Sequence, residues 1–300
     1  MRILHLDAGR EMRGGQWQVL RLIEGLAAAG VESTLLARQD APLYTAARRQ
    51  GWRVEPLGIT RALACLRGHT LIHAHDARSH TLGAFLYGRP LVVSRRVAFP
   101  VGSGPVGARW KYARARRYLA VSQFVKNVLI PGGVPEDKIS VVYDGVPLLE
   151  VAHGNQVLGL EKDFALLPRM GLKMVSHLEE EIPAAKILVY VTASEGLGSG
   201  VLLAMSAAVP VIASNIGGLR EVIRHGENGL LVENNEAAIS DAIHQLLDHP
   251  EQARQIGAAA RRTVIERFTV DRMVAATLEA YRTTAVSSNL APIRYGKIKP

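Results

Sequence analysis

Along the first half of the chain, apolar residues follow two patterns that take turns. Short, continuous apolar runs, which are typical of strands buried on both faces, alternate with segments whose apolar residues recur at helical spacing. These patterns predict strands at 3–6, 32–37, 52–56, 71–74, 91–94, 118–121 and 139–142, and helices at 16–29, 44–50, 108–117 and 122–130. Strands that alternate with helices indicate a doubly wound parallel sheet, in which ligands bind beyond the carboxyl ends of the strands.

The same alternation starts again after an expected linker at 147–155. The second half predicts strands at 156–160, 172–176, 187–191, 210–213 and 229–232, and helices at 163–170, 179–185, 236–247, 251–266 and 270–284. We therefore expect an α/β protein of two Rossmann-like domains, residues 1–149 and 150–286. The basic tail, residues 287–300, lacks helical periodicity, and we expect it to be flexible.

The composition fits two globular domains of ordinary size. A chain of 300 residues, 48% of them hydrophobic, can bury a core in each half. Cys65 is the single cysteine, so an intrachain disulfide is impossible, which fits a reducing compartment. The first residues have the pattern of a strand rather than of a signal peptide, and no apolar run reaches the roughly 20 residues that span a bilayer. We therefore expect a cytoplasmic protein.

Positive charge is concentrated in the first half of the chain. Residues 1–150 carry 21 Lys and Arg against 11 Asp and Glu, a net of +10, whereas residues 151–300 carry 15 against 16, a net of −1. The asymmetry indicates an anionic partner, such as a phosphorylated acceptor or the inner face of a membrane, or else a mere bias towards arginine. The predicted helix around Trp110, Lys111 and Arg114 could lie on an anionic membrane or form a solvated basic face. It carries no nucleic-acid-binding motif, so we expect no nucleic acid partner.

The most informative stretch follows the apolar run at 187–191. Glu195 stands beside three glycines, Gly196, Gly198 and Gly200, and a helix-forming apolar run comes next. This order places a carboxylate near the carboxyl end of a buried strand and backbone amides at a helix N-terminus, where the helix dipole favours anions. A carboxylate beside an anion-binding turn suggests a ligand with both hydroxyls and phosphate, such as a sugar nucleotide. The alternative is a tight turn in which Glu195 only caps the helix.

Two glycine pairs mark further turns with candidate roles in binding. Gly14 and Gly15 lie between the first strand and the first helix, where they can present amides to a phosphate or merely make the turn. Gly217 and Gly218, with Glu221 after them, follow a later strand. They either line a pocket for the nucleotide base or form a turn and a short helix.

Histidine and arginine pairs at strand ends are further candidates in the first half. His73 and His75 are two residues apart and therefore face the same side of their strand. Two histidines at this spacing could bind a metal, but beyond Asp76 no nearby cysteine or carboxylate would complete the site, and His75 either reaches the cleft or packs inside the fold. Arg95 and Arg96 follow a strand at its carboxyl end, where one of them can meet a phosphate or an acidic acceptor.

A series of short motifs occurs in order and with sensible spacing. They are Arg13-Gly14-Gly15-Gln16, Ile72-His73-Ala74-His75-Asp76, Ala120-Val121-Ser122, the segments 133–139 and 143–146, and the longer segments 194–214, 217–222 and 225–232. Together they span about residues 1–146 and 177–285, and they resemble the family 4 retaining glycosyltransferases, also described as group 1. The resemblance implies the GT-B fold, in which two Rossmann-like domains face each other across a cleft.

The resemblance implies transfer of a hexose from a nucleoside diphosphate sugar to a hydroxyl acceptor on a cell-surface polysaccharide, a lipopolysaccharide or a lipid-linked glycan. It implies retention of the anomeric configuration, neither metal nor cofactor, and a last helix that packs back towards the first domain. Glu195 would orient the sugar, and the acceptor side would include His75, Arg95 and Arg96. The donor would contact Gly14, Gly15, Lys162, Gly196, Leu197, Gly198, Ser199, Gly217 and Gly218.

Three departures from the family pattern bear on activity. The family pairs two glutamates eight positions apart, and its second glutamate binds the nucleotide ribose, but here Leu203 follows Glu195 at that spacing. Arg95 and Arg96 stand where the family often has a histidine near the sugar. The second domain is shortened where the family places the cations that clamp the diphosphate, which leaves Lys162 as the candidate. A degenerate protein that binds a sugar nucleotide or a partner without turnover is one alternative, and a nucleotide-sugar epimerase is another.

Overall fold

A parallel sheet of seven strands forms the first half of the protein, whose computed structural model describes residues 1–99, 101 and 107–286. The strands are β1 (Arg2–Asp7), β2 (Glu32–Ala37), β3 (Val54–Pro56), β4 (Leu71–Ala74), β5 (Leu91–Arg95), β6 (Arg117–Ala120) and β7 (Ile139–Val141). The connecting helices are α1 (Gly14–Ala28), α2 (Pro42–Arg49), α3 (Ile59–Leu66), α4 (Ala77–Phe85), α5 (Gly107–Arg114) and α6 (Gln123–Leu129). The sheet order is β3-β2-β1-β4-β5-β6-β7, so the strand order reverses beside β1 and opens a crevice at its carboxyl end.

A second parallel sheet, of five strands, forms the other half. Its strands are β8 (Gln156–Glu161), β9 (Lys173–Met174), β10 (Ala185–Val191), β11 (Val211–Ser214) and β12 (Leu230–Val232), in the order β12-β11-β10-β8-β9. The helices are α7 (Leu166–Arg169), α8 (Leu178–Glu181), α9 (Ser199–Ser206), α10 (Leu219–Val222), α11 (Glu236–Asp248), α12 (Pro250–Arg267) and α13 (Val270–Val286). β10 is the central strand, and its carboxyl end leads into the loop before α9.

The expected fold class, α/β with two doubly wound parallel sheets, is confirmed. The strands of the two sheets lie on either side of the predicted boundary at residues 149 and 150, and the tail 287–300 lies outside the described residues. The sequence pattern misses α3 and α4. α3 does carry apolar residues at helical spacing, at positions 59, 62, 63 and 66, although it leaves Ile59 and Leu63 exposed. α4 buries Ser79 and His80, so its sequence lacks the usual apolar face. Among the described helices, none combines the length and apolarity that a bilayer crossing requires.

The predictions between β8 and β10 are wrong in extent. The helix predicted at 163–170 is reduced to the single turn α7, and the strand predicted at 172–176 is reduced to the two residues of β9. The helix predicted at 179–185 breaks because Pro183 cannot donate the next helical hydrogen bond, and Ala185 already belongs to β10. The chain between β8 and β10 therefore consists of short elements joined by turns.

The last helix returns to the first domain. α13 packs against α1, and Met273, Val274 and Tyr281 share a buried cluster with Leu22 and Leu26. Burying a large apolar side chain stabilises the fold by about 1.5–3 kcal/mol. The helix at the end of the described chain therefore contributes to the core of the domain at its beginning.

Three histidines form a buried, hydrogen-bonded group under α13. His5 Nδ1 lies 2.9 Å from His75 Nε2, and His73 is bonded to the Tyr281 hydroxyl at 2.6 Å and to Ser94 Oγ at 2.8 Å. Burial lowers the pKa of His5 to about 3 and holds the pKa values of His73 and His75 well below the usual range. The three rings are therefore neutral at pH 7, and Tyr281 ties α13 to the first sheet through its hydrogen bond to His73.

Tyr281→Phe is expected to lower the free energy of unfolding by about 1–3 kcal/mol, because Nδ1 of the buried His73 loses its partner while the ring still fills its place. Urea unfolding measures the loss. Tyr87→Phe is the control, since Tyr87 is 64% exposed, and it should leave stability unchanged within about 0.5 kcal/mol. Equal stability of the two variants would show that the Tyr281 hydroxyl does not hold α13 in place.

Candidate functional site

The loop between β10 and α9 forms the centre of the candidate site. It contains Glu195 and ends at Gly198, which has a φ of +99° and stands at the N-cap of α9. A Cβ at Gly198 would also lie 2.6 Å from a side-chain carbon of Leu219. Conformation and space therefore both require glycine here. The turn brings the first backbone N–H groups of α9 to the carboxyl end of the central strand, as the sequence predicts.

The Glu195 carboxylate is enclosed by hydrogen-bond donors. Lys162 Nζ lies 2.8 Å from Oε2, the Tyr190 hydroxyl donates to the same oxygen, and the N–H of Gly196 donates to Oε1 at 3.0 Å. Burial raises the pKa of Glu195, but the Lys162 ammonium group and these hydrogen bonds outweigh burial and hold the pKa below the usual range. Glu195 is therefore an anion at neutral pH, although its side chain is only 13% exposed.

Lys162 reaches Glu195 because it directly follows β8, the neighbour of β10. Its backbone N–H donates to the Val191 carbonyl at 2.9 Å, which continues the pairing of the two strands. Asp163 then turns the chain with a φ of +74°, and its carboxylate accepts a hydrogen bond from Thr192 Oγ1 at 3.3 Å. The structure thus places Lys162, the candidate cation of this segment, beside the predicted carboxylate.

Tyr190 is a site residue that the sequence reasoning misses. It stands at the end of an apolar run, where an aromatic ring is expected to pack in the core, and it is 1% exposed. Its ring is indeed buried, but its hydroxyl reaches Glu195 five positions later. The available signal is chemical, because a buried tyrosine hydroxyl needs a hydrogen-bond partner.

The glycines of the first domain face this loop. A Cβ at Gly14 would lie 2.7 Å from Ser199 Oγ, and a Cβ at Gly15 would lie 3.9 Å from Cδ of Arg96. A Cβ at Gly196 would overlap the carbonyl oxygen of Arg96. The structure therefore brings Gly14 against the Ser199 side chain of the second domain, and the backbone of Gly196 directly against the backbone of Arg96.

Arg96 lies between the two loops with part of its guanidinium group unpaired. Its Nε donates to Asp144 Oδ1 at 3.1 Å, whereas Nη1 is buried and has no hydrogen-bond partner among the described residues. Burial raises the pKa of Asp144, and the Arg96 charge opposes this effect without cancelling it. A cation next to Gly15 and Gly196 suits an anionic ligand.

Arg95 and His75, the other residues predicted on the acceptor side, are not brought to this cluster. Arg95 is 8% exposed, and its guanidinium group donates to the Tyr112 hydroxyl at 3.2 Å and to the Phe99 carbonyl at 2.6 Å. His75 packs inside the fold against His5. Arg95 and Arg96 are adjacent in the chain, but Arg95 bonds to Tyr112 and Phe99, whereas Arg96 bonds to Asp144 beside the glycine loops.

His5, His73 and His75 are the described histidines whose ring nitrogens come near enough to hold a metal ion. Their candidate ligand atoms lie within 4.8 Å of one another. However, His75 Nδ1 is the one ring nitrogen of the three without a hydrogen-bond partner among the described residues. The positive charge of Arg96 acts on His73 and His75 and disfavours a cation. The arrangement suits a neutral hydrogen-bonded group better than a metal site.

Gly217 and Gly218 pack under the Glu195 loop. A Cβ at Gly217 would lie 2.5 Å from the Glu195 carbonyl oxygen, and one at Gly218 would overlap the carbonyl oxygen of Gly196. The following residues form the short helix α10, in which Glu221 accepts the backbone N–H groups of Gln123 at 2.9 Å and of its neighbour in α6 at 2.5 Å. Glu221 therefore caps a helix of the facing domain, a role that the sequence does not indicate.

The side chains of Leu197 and Leu203 are buried, at 1% and 5% exposure. Only the backbone of Leu197 is thus available to a ligand. Leu203 lies on α9 in the hydrophobic core, so the position of the family's second glutamate offers no hydrogen-bond acceptor on its side chain.

Two family models match the chain. The model described as Glycosyl transferases group 1 matches residues 158–263, and the one described as Glycosyltransferase Family 4 matches residues 12–149. The chain is 38% identical over 112 residues to alpha-maltose-1-phosphate synthase of Mycolicibacterium smegmatis. The matched segment covers 35% of this chain and 29% of that enzyme. It is 32% identical over 99 residues to N-acetyl-alpha-D-glucosaminyl L-malate synthase of Bacillus anthracis, and this match covers 33% of the chain and 26% of that enzyme. The chain thus matches less than a third of these relatives.

Solved structures resemble this one over most of its length. The crystal structure of Anabaena Alr3699/HepE in complex with UDP has a TM-score of 0.81 at 16% identity, over 94% of this chain and 100% of that one. The complex of the same protein with UDP-glucose has a TM-score of 0.80 at 17% identity, over 93% and 100%. At this identity the likeness shows the fold, and it confirms the expected GT-B arrangement.

Gly196→Ala is expected to push the two domains apart, because the new methyl group would overlap the Arg96 carbonyl oxygen across the domain contact. Small-angle X-ray scattering should show a larger radius of gyration, and unfolding should show a stability loss of about 1–3 kcal/mol. Gly58→Ala is the control, since Gly58 has an extended φ of −177° and open space around it. Two variants with the same radius and stability would contradict the close contact at Gly196.

Proposed function

Since the chain belongs to the GT-B glycosyltransferases, we propose that it transfers a hexosyl residue from a nucleoside diphosphate sugar to a hydroxyl acceptor with retention of configuration. The observation that carries this proposal is the anionic Glu195, paired with Lys162 at a glycine loop that meets Gly14 and Arg96 of the facing domain. A carboxylate accepts hydrogen bonds from sugar hydroxyls, and cations with free amides suit a diphosphate. Both halves of a sugar nucleotide thus find suitable groups in one place.

The residues present support a mechanism based on stabilising the leaving group. Glu195 would orient the sugar ring through its hydroxyls. The amides at the start of α9, with Lys162 and Arg96, would stabilise the negative charge that develops on the departing diphosphate. The proposal includes attack from the same face as the leaving group, and it requires no covalent nucleophile, metal or cofactor. Contact between the domains would exclude water and favour transfer over hydrolysis.

A non-catalytic binding protein is the second candidate function. The observation that favours it is the buried Leu203, which offers the nucleotide ribose no carboxylate. A nucleotide-sugar epimerase on the same fold is a third possibility, and it would convert the donor without an acceptor. The UDP complexes of the structural neighbour support a uracil nucleotide as the first donor to try.

The acceptor would bind at the basic first domain, in the cytoplasm at the inner face of a membrane. Residues 77–135 carry ten Lys and Arg and neither Asp nor Glu. Within this segment, Phe85, Tyr87 and Trp110 are 56%, 64% and 38% exposed. The rings of Phe85 and Trp110 lie 4.9 Å apart, and the Arg114 guanidinium group lies 4.9 Å from the centre of the Tyr87 ring. With Lys111, these four residues form what we term the aromatic–basic face.

The aromatic–basic face has the chemistry of a surface that sits among anionic lipid headgroups. Exposed rings can enter the boundary of the acyl chains, while neighbouring cations are attracted to anionic lipids. A polysaccharide, lipopolysaccharide or other lipid-linked acceptor would be presented at such a surface. This supports a membrane-associated acceptor.

A panel of UDP-, GDP-, ADP- and TDP-sugars is expected to reveal one nucleotide that raises the unfolding midpoint. A ligand that binds only the folded protein at 100 times its dissociation constant adds about 2.7 kcal/mol to stability. The donor so identified should support transfer to an acceptor, and Glu195→Ala should reduce transfer more than about a hundredfold. Glu227→Ala is the control, at a glutamate whose side chain is 68% exposed.

The outcomes of the panel separate the candidate functions. A midpoint shift without turnover of any kind would favour the binding protein, and donor conversion without an acceptor would favour the epimerase. A cooperative transition that no nucleotide shifts at millimolar concentration would refute a nucleotide-sugar ligand. Full transfer activity in Glu195→Ala would refute the role of Glu195.

Replacing Phe85 and Trp110 together by serine is expected to weaken binding to vesicles of phosphatidylcholine and phosphatidylglycerol. Co-sedimentation measures the bound fraction, which should also fall with rising salt because headgroup attraction is screened. The control replaces Phe164 and Ile265, which are 44% and 45% exposed in the second domain. Equal binding to vesicles of phosphatidylcholine alone, or equal loss in the control, would refute the aromatic–basic face as the contact.

A further inference from the structure

Two donors of different character converge on one oxygen of Glu195. Lys162 Nζ lies 2.8 Å from Oε2, and the Tyr190 hydroxyl donates to the same atom. The ammonium nitrogen also lies 5.4 Å from the centre of the Tyr190 ring, so the two donors are close neighbours. Oε1, by contrast, accepts only the backbone N–H of Gly196 among the described residues. The carboxylate therefore has one charged, one neutral and one backbone donor.

The two side-chain donors are anchored very differently. Tyr190 is 1% exposed and belongs to β10, the central strand of its sheet. The Lys162 side chain is 53% exposed, and a lysine reaches its partner through four flexible carbons. Water competes for the ammonium end of this pair, whereas the Glu195 side chain is only 13% exposed. Lys162 can therefore move from Glu195 to a second anion that is placed within its reach, whereas Tyr190 is held in the strand.

On the proposed function, a stronger partner for Lys162 arrives with the donor. A diphosphate at the glycine loop offers more negative charge than one carboxylate and several acceptor oxygens. We propose that donor binding draws Lys162 from Glu195 to the diphosphate, and that Tyr190 is the positioning residue that holds the Glu195 carboxylate during this exchange.

The exchange makes Glu195 available when it is needed. In the structure, the positive charge of Lys162 balances the negative charge of the carboxylate, and the ammonium group donates a hydrogen bond to Oε2. Once Lys162 leaves, Oε2 can accept a sugar hydroxyl while Tyr190 and the Gly196 amide keep the group in place. Diphosphate binding and recognition of the sugar are therefore coupled through one lysine.

The test is a double-mutant cycle on UDP binding, measured by calorimetry on the whole chain. Lys162→Gln should weaken binding, because the diphosphate loses a cation. Glu195→Gln should tighten binding about twofold to fivefold, because Lys162 no longer leaves a carboxylate to reach UDP. In the double variant, the Glu195→Gln change should bring no gain, since the lysine that it frees is absent. UDP has no sugar, so lost sugar contacts do not affect the result.

The cycle distinguishes exchange from simple repulsion. If Glu195→Gln tightens binding equally with and without Lys162, the carboxylate merely repels the phosphates and the exchange is refuted. Weaker binding in Glu195→Gln alone refutes it as well. Lys173→Gln is the control, because its side chain is 54% exposed and pairs with Glu181 in the same domain. It should leave the affinity unchanged.

Failure of the proposed function would look different. If the wild type binds GDP, ADP or TDP instead of UDP, that nucleotide becomes the probe of the cycle. If the wild type binds none of the four, both the proposed function and the exchange are refuted. Binding with an additive cycle refutes the exchange alone.

Tyr190→Phe tests the positioning role. It should lower kcat while leaving the UDP dissociation constant unchanged, and it should move the acid limb of the pH profile to higher pH. The direction follows because the Tyr190 hydroxyl lowers the pKa of Glu195, so its removal raises that pKa. Tyr118→Phe is the control, at a tyrosine that is also fully buried and hydrogen-bonded. An acid limb at the same pH in Tyr190→Phe and the wild type would refute the positioning role.

Discussion

The contact between Gly196 and the Arg96 carbonyl fixes the arrangement on which the candidate site depends. There is no room for a methyl group between the two backbones, so the end of β5 and the loop after β10 touch directly. Gly14 also lies close to the second domain, since a Cβ there would be 2.7 Å from the Ser199 side-chain oxygen. Two glycine-containing turns from different sheets therefore lie side by side. Side chains from both domains can act on a single ligand only because these backbones meet.

Polar contacts and a returning helix support this close approach. Glu221 accepts backbone N–H groups at the start of α6, and Arg21 pairs with Glu179 across the domains at 3.1 Å. The two places where the chain crosses between domains are bonded to each other, since the N–H of Val146 donates to the Phe268 carbonyl at 2.9 Å. Any movement of one domain on the other must pivot around this paired crossing. The polar contacts at the cleft are the kind that can separate and re-form.

The sequence predicts the fold and the position of Glu195 because both depend on local patterns. Apolar runs locate the strands, and a carboxylate among glycines after such a run marks the loop. The choice between Arg95 and Arg96 depends instead on the side to which each residue at the end of β5 turns. The hydroxyl of Tyr190 is hidden in a run that also fits an ordinary core strand. Glu221 is far from α6 in the chain, so no local pattern can reveal the cap that it provides.

The single carboxylate of the loop and the residues that follow β8 depend on each other. Because position 203 is a leucine, Glu195 is the one acidic residue between residues 194 and 206. The burial of the Glu195 carboxylate must be offset by hydrogen-bond donors. The short path from β8 to α7 supplies one, because Lys162 follows the strand immediately and is paired to the backbone of β10. β10 supplies another through Tyr190. The two strands that border the loop thus place a cation and a hydroxyl where the buried carboxylate requires donors.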